Sequence, residues 1–277
     1  MDRCEPILCA HLLRVVDGKL LELMATLQPA EWATPVAVPH WTVRDVAAHL
    51  LDTALRKLSL ARDGWLVDAV EIRSERDLVE LVNRVNREGV TVYRRLSPPV
   101  LCALMETACR QSADFHESLD PFAPALFPVS WAGDEVSPNW FDTARELTER
   151  WHHQQQIRDA LNRPGIMTPE LYHPVLDCFL RGLPRIYRGA DAPAGAVVRI
   201  EIEGESGGVW QLRHGGDDWW VEPSSSDPAQ ARLILPEAIA WRIFTKGISR
   251  EQALERVRWE GSPELALRAL DLRAIVG

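Results

Sequence analysis

The chain has 277 residues, 46% of them hydrophobic and 26% charged, a balance that supports a sizeable folded core and excludes a disordered or fibrous polypeptide. Forty acidic against thirty-one basic residues leave a net charge of −9 with no long Lys/Arg run, which excludes a surface built to hold a nucleic-acid backbone. No stretch of about 18 uncharged apolar residues occurs, and Asp2, Glu5, Arg14 and Asp17 interrupt the N-terminal apolar run, so we expect no membrane partner and a cytoplasmic location.

From Glu5 to Leu27 apolar residues recur at three- and four-residue steps, the stripe of an amphipathic helix that ends before Pro29. A Pro-punctuated loop from Thr34 to Trp41 leads to Thr42, with Asp45 three residues later, a capping pattern for a second helix from Val43 to about Asp63. A third helix is predicted from Ser74 to Leu96, and Ser97-Pro98-Pro99 opens a fourth that runs to Leu119. The loop from Asp120 to Asn139 holds four prolines, and a loop of that length in a compact domain is usually functional. We expect its Phe122, Phe127 and Trp131 either to line a substrate pocket or to pack. A fifth helix spans Trp140 to Leu161, where Asn162-Arg163-Pro164-Gly165 stops it. A sixth spans Thr168 to about Arg188.

Beyond a linker at 189–195 the pattern changes. Val197–Ile202, Gly208–His214, Trp219–Glu222 and Ala231–Leu235 are short apolar runs separated by turn residues, which predicts strands of an antiparallel sheet. Helical patterns return at Pro236–Lys246, Ser249–Val257 and Glu264–Ala274. The fold class expected is therefore α plus α+β, with a helical domain at 1–190 and a smaller α+β domain at 191–277.

The five cysteines are odd in number and lack Cys-x-x-Cys spacing, so we read them as free thiols. Eleven of the twenty aromatic residues are Trp. His49 lies two turns into the second helix with few polar neighbours in sequence, and reads either as a core histidine or as part of a site. In the fifth helix Glu149 and His153 stand four apart, on one face, where both can reach one cation or form a solvated helix pair. Joint action of the three requires the two helices to pack side by side.

The segment from Pro39 to Leu50, Pro-His-Trp-Thr-Val-Arg-Asp-Val-Ala-Ala-His-Leu, resembles the Pro-Gly-Trp-Thr-Val-(Arg/Lys)-Asp-x-x-x-His-Leu signature of the DinB-like metal-binding four-helix bundles. More narrowly it resembles the mycothiol-dependent maleylpyruvate isomerase family, whose second signature, Arg-x-x-x-Glu-x-x-x-His, matches Arg145 to His153. The stretch from Ala231 to Leu272 is similar to the last half of that family's sterol-carrier-protein-like C-terminal domain. The resemblance implies a DinB-like four-helix bundle followed by a sterol-carrier-like α+β domain. It also implies His49, Glu149 and His153 as ligands of a divalent metal, zinc foremost, with nickel or iron as alternatives. Its other implications are a low-molecular-weight thiol such as mycothiol as cofactor and a small electrophilic molecule as substrate. Related bundles often dimerise, so the resemblance implies a monomer or a homodimer.

The sequence departs from the family pattern in three places. His40 replaces the usual Gly before the Trp, and either approaches the site or covers the loop. Gln156 replaces an Asp three residues after His153, and its amide can hydrogen-bond and orient that ligand without adding charge. Thr245-Lys246-Gly247 stands where family members often read Thr-Gly-Arg, so the equivalent of a C-terminal arginine thought to serve catalysis is not placed; Arg242 and Lys246 are the candidates. His152 is the nearest additional titratable group, either a proton shuttle or an outward-facing neighbour of the ligand. The function these features imply is a metal-dependent, thiol-dependent isomerase or S-transferase. The alternative is a small-molecule-binding or stress-associated protein, with or without metal and without catalysis.

Overall fold

The computed structural model describes residues 4–65 and 72–274. Four helices form a ring: α1 (Ala10–Ala25), α2 (Val43–Lys57), α4 (Pro98–Ser118) and α5 (Asn139–Leu161), with α1 and α2 each packed against both α4 and α5. A fifth helix, α3 (Glu75–Tyr93), lies on the outside against α2. The expected four-helix bundle is present. Residues 4–9 are not helical, so the first helix is shorter than its apolar stripe. Where the second helix was expected to run on to Asp63, the last turn widens into a π-helical segment at Leu58–Arg62.

Two sequence signals set the geometry of α2 and α5. At the start of α2 the Asp45 carboxylate accepts from the Thr42 N–H at 2.9 Å and the Thr42 hydroxyl at 2.8 Å, which fixes how the chain enters the helix. Helix α5 is enclosed by α1, α2 and α6 (Pro169–Leu180), and 17 of its 23 residues are buried. Those residues include Asp142, Glu146, Arg150, His152, His153 and three glutamines, far more polar groups than a buried helix carries for packing alone. The single helix expected from Thr168 to Arg188 is split into α6 and α7 (Leu183–Tyr187). Pro184 cannot continue α6 and instead sits in the first turn of α7. A Cβ on the intervening Gly182 would meet Leu272 Cδ1 at 2.8 Å.

Strands β1 (Val197–Glu203), β2 (Gly208–His214), β3 (Trp219–Glu222), β4 (Ala231–Pro236) and β5 (Arg258–Gly261) form one sheet in the order β3-β2-β1-β4-β5. The sheet is mixed rather than antiparallel as expected: β1 and β4 run parallel, with Val198 beside Ala231 and Ile202 beside Leu235. Alternating apolar patterns carry no information on strand direction. Direction is set here by the loop at 223–230, which returns to the start of β1. Arg199 donates to the Ser225 carbonyl at 2.7 Å and Arg213 pairs with Asp227 at 2.5 Å, pinning that loop. Strand β5 was not expected, because its four residues are all exposed and show no alternation. Helices α8 (Glu237–Phe244), α9 (Arg250–Leu254) and α10 (Pro263–Arg268) complete the C-terminal part.

Buried apolar side chains form two clusters. One, with Leu50, Leu51, Leu101 and Met105, joins α2 and α4 to the C-terminal half of α1. The other runs from Leu13 and Trp151 through Tyr172 and Phe179 to Ile200, Leu233 and Trp241, so a single core crosses position 190. Trp151 is its hinge point: its ring stacks on Tyr172 with centroids 4.4 Å apart, meets Trp241 edge-on at 6.0 Å, and donates to the Ile166 carbonyl at 2.8 Å. Trp259 is 44% exposed on the edge strand β5.

Candidate metal centre

The structure brings His49, Glu149 and His153 together where α2 crosses α5. Glu149 Oε1 lies 3.0 Å from His49 Nε2 and 3.2 Å from His153 Nε2, and all three donor atoms fall within 4.8 Å of one another. Helical periodicity supplies the pair on α5, and the side-by-side packing of α2 supplies the third. Two donors each about 2.0–2.1 Å from one tetrahedral ion would stand about 3.3 Å apart. The observed spacing of an imidazole, carboxylate and imidazole set thus fits a divalent cation without rearrangement of the backbone.

Electrostatics support the same reading. Burial pushes the His49 imidazole below its ordinary value, and His153 pushes it the same way. Burial would raise Glu149, but His153 and the hydrogen bonds from both imidazoles hold its carboxyl well below the usual range, so it is ionised. Burial would lower His153, but Glu149 and then the Gln156 hydrogen bond outweigh it and raise the imidazole. A carboxylate flanked by two imidazoles in a buried niche is a ready donor set for a positive ion.

Trp41, just before the α2 cap, covers the imidazoles: its ring centroid is 5.3 Å from that of His49 and 6.5 Å from that of His153. His40 is exposed and holds a left-handed backbone with φ +67°, which accounts for glycine as the usual residue there. Gln156 is buried and its Oε1 lies 2.9 Å from His153 Nδ1. His152 does not face outward, being only 4% exposed. Burial and then the neighbouring His153 push its imidazole well below the ordinary value.

Other sequence expectations resolve differently. Trp131 is buried against Phe141 at 6.0 Å and belongs to the core, whereas Phe122 and Phe127 are 65% and 42% exposed. The loop at 120–139 therefore packs on α5 and α7 and contributes no aromatic contact to the triad among the described residues; Arg185 of α7 anchors it by donating to the Ser130 carbonyl at 2.6 Å. Arg242 of α8 reaches across to α5, pairing with Asp159 at 2.5 Å, with its guanidinium 4.6 Å from the Trp241 ring. Lys246, two residues beyond α8, holds a left-handed backbone with φ +61°.

Two buried ion networks flanking the triad escaped the sequence reading. Asp142 takes Lys57 Nζ at 2.5 Å and Arg145 Nη2 at 2.6 Å. Arg150 pairs with Asp17, with Glu146 at 3.2 Å and with Ser112 Oγ at 2.6 Å, joining α1, α4 and α5. The Asp142–Arg145 spacing of three was legible, but partners 85 and 133 residues away are visible only once the bundle is formed.

A sequence profile of the mycothiol maleylpyruvate isomerase N-terminal domain matches residues 13–158 of this chain, more than half its length. The chain belongs to the mycothiol maleylpyruvate isomerase family. The matched span runs from α1 through the cap and His49 of α2 to Glu149, His153 and Gln156 of α5. Two solved structures, titled as the mycothiol-dependent maleylpyruvate isomerase and a His-to-Ala mutant of it, share the fold. Each is 13% identical and aligns over 92% of this chain and 94% of its own, with TM-scores of 0.50 for the former and 0.53 for the mutant. A search of curated proteins returns no match. Among the described residues of this family member, no helix is long and apolar enough to cross a membrane.

Proposed function

We propose that this chain is a metal-dependent enzyme that uses a low-molecular-weight thiol, of the mycothiol type, to isomerise or transfer sulfur to a small electrophilic substrate. The observation that carries the reading is the convergence of His49, Glu149 and His153 at 3.0 and 3.2 Å in a chain of this family. Two imidazoles and one carboxylate leave at least one coordination position free, as in catalytic rather than structural zinc sites. Zinc is the first candidate, with nickel and iron(II) compatible with the same donors. The ion supplies Lewis acidity, which lowers a bound thiol from about 8.5 so that the thiolate form prevails at neutral pH.

The chain's own residues do the rest. His49 and His153 offer neutral imidazole nitrogens, and ionised Glu149 offsets part of the metal's charge. The Trp41 ring shields one side from water. Two of the protein's own cysteines are poorly suited to supply a thiolate: burial pushes Cys9 up to about 12 and lifts Cys178 well above its ordinary value.

Elemental analysis of the purified full-length protein, repeated on His49→Ala, tests the metal. We expect about one transition-metal ion per chain, lost in the variant. Protection of the fold by mycothiol and by glutathione, read by thermal shift of the metal-loaded protein, tests the thiol. Near-zero metal in the wild type would overturn the enzyme reading. Metal without any thiol protection would leave a metal-binding protein and remove the thiol chemistry.

A further inference from the structure

A buried line of polar contacts leads away from the triad. His153 turns Nε2 toward Glu149 at 3.2 Å and Nδ1 toward Gln156 Oε1 at 2.9 Å. The other end of the same amide, Gln156 Nε2, lies 2.9 Å from His152 Nε2. All three side chains are buried, and His152 Nδ1 has no hydrogen-bond partner among the described residues. Beyond it stands Trp241 of α8, with ring centroids 6.0 Å apart.

Donor and acceptor capacity fixes each proton along this line. A His153 that binds a cation through the Nε2 lone pair carries its proton on Nδ1 and donates to Gln156 Oε1. The amide nitrogen can only donate, so His152 Nε2 must accept, and His152 is neutral with its proton on Nδ1. If the amide turned over, its NH2 would face His153 Nδ1. That would draw the His153 proton to Nε2, where it blocks the lone pair needed for the metal. His152 holds the far end of the amide, so a flip would also require the His152 proton to move from Nδ1 to Nε2.

We propose that His152 is a positioning residue that locks the Gln156 amide, so that the metal ligand His153 rests on a charge-neutral support anchored against the C-terminal part of the chain. The inference rests on the metal reading of His49, Glu149 and His153. It gives the Gln156 departure a consequence. With neutral His49, His153, Gln156 and His152, a divalent ion and the Glu149 carboxylate carry a formal charge of +1. A carboxylate at position 156 would bring that to zero. The centre is thereby biased toward an anionic ligand such as a thiolate, at the expense of metal affinity.

The test uses the full chain loaded with zinc. Long-range 15N–1H spectra of the wild type should show the proton of both His152 and His153 on Nδ1. Zinc affinity is then read by competition with a chromophoric chelator. We expect H152F and Q156L each to weaken binding about tenfold, the double variant to be no weaker than either single one, and Q156D to tighten binding about tenfold. A His152 proton on Nε2 in the zinc form, or additive losses, overturns the relay. Should H152F fail to fold, the wild-type spectra decide alone. A wild type that binds no zinc overturns the metal reading and the relay with it. A wild type that binds zinc while H152F matches it overturns the relay only.

Discussion

Lys57 of α2 and Asp142 of α5 form a 2.5 Å ion pair with side chains only 9% and 5% exposed, tying together the two helices that carry the triad. Burial would raise the Asp142 carboxyl, but Arg145 and Lys57 hold it below the usual carboxylate range. Removing one member of a buried pair strands the other, so Asp142→Asn should destabilise the protein by about 3 kcal/mol in urea unfolding. A depressed carboxylate stabilises the fold above its unfolded value of about 3.9. The contribution is therefore lost as pH falls below about 4, and Asp142→Asn should flatten acid unfolding there. A variant as stable as wild type would show that the pair contributes nothing.

His116, inside the bundle, donates to or accepts from Thr143 Oγ1 at 3.0 Å, and burial pushes it down to about 4. Glu146 and Asp142 pull its imidazole upward while Lys57 and Arg150 oppose them. Below about 6.5 the unfolded chain gains a proton here that the folded protein refuses until about pH 4. Stability should thus fall as pH drops through that window. Melting temperature against pH should show a shallower slope for His116→Gln between pH 6.5 and 4 than for wild type.

His40 occupies a left-handed position at the α2 cap. His40→Gly should raise stability by about 0.5–1 kcal/mol, the relief of a strained backbone less the added freedom of the unfolded chain. Metal content should not change, because the His40 side chain is exposed and the triad is complete without it. A loss of metal in this variant would assign His40 to the site.

Metal removal gives a fourth outcome. An ion that binds only the folded state adds about 2.7 kcal/mol when its free concentration is a hundred times its dissociation constant. Chelator should therefore lower the melting temperature of the wild type. In His49→Ala, with one of three donors gone, chelator should produce no shift. Equal shifts in both would locate the metal elsewhere.

Two local relationships at the site were legible from spacing. Thr42 with Asp45, and Glu149 with His153, are three- and four-residue relationships that a helix converts directly into contacts, and both appear as expected. The strands from Val197 to His214 were equally plain, since turn residues bound each apolar run. The inward placement of His152 was not, because α5 is buried on nearly every side and no face is marked polar by periodicity.

By itself the sequence determined the local grammar: most of the segments that are helices or strands, where α2 is capped, and which residue types could bind a cation. Only the tertiary structure decided that α2 lies on α5 so that His49 meets Glu149, that Lys57 meets Asp142 and Asp17 meets Arg150, and that β4 runs parallel to β1. The reason is physical. Local spacing acts through the geometry of a few neighbouring dihedrals, whereas these pairings depend on how the whole chain buries its apolar surface while leaving no charge unpaired inside.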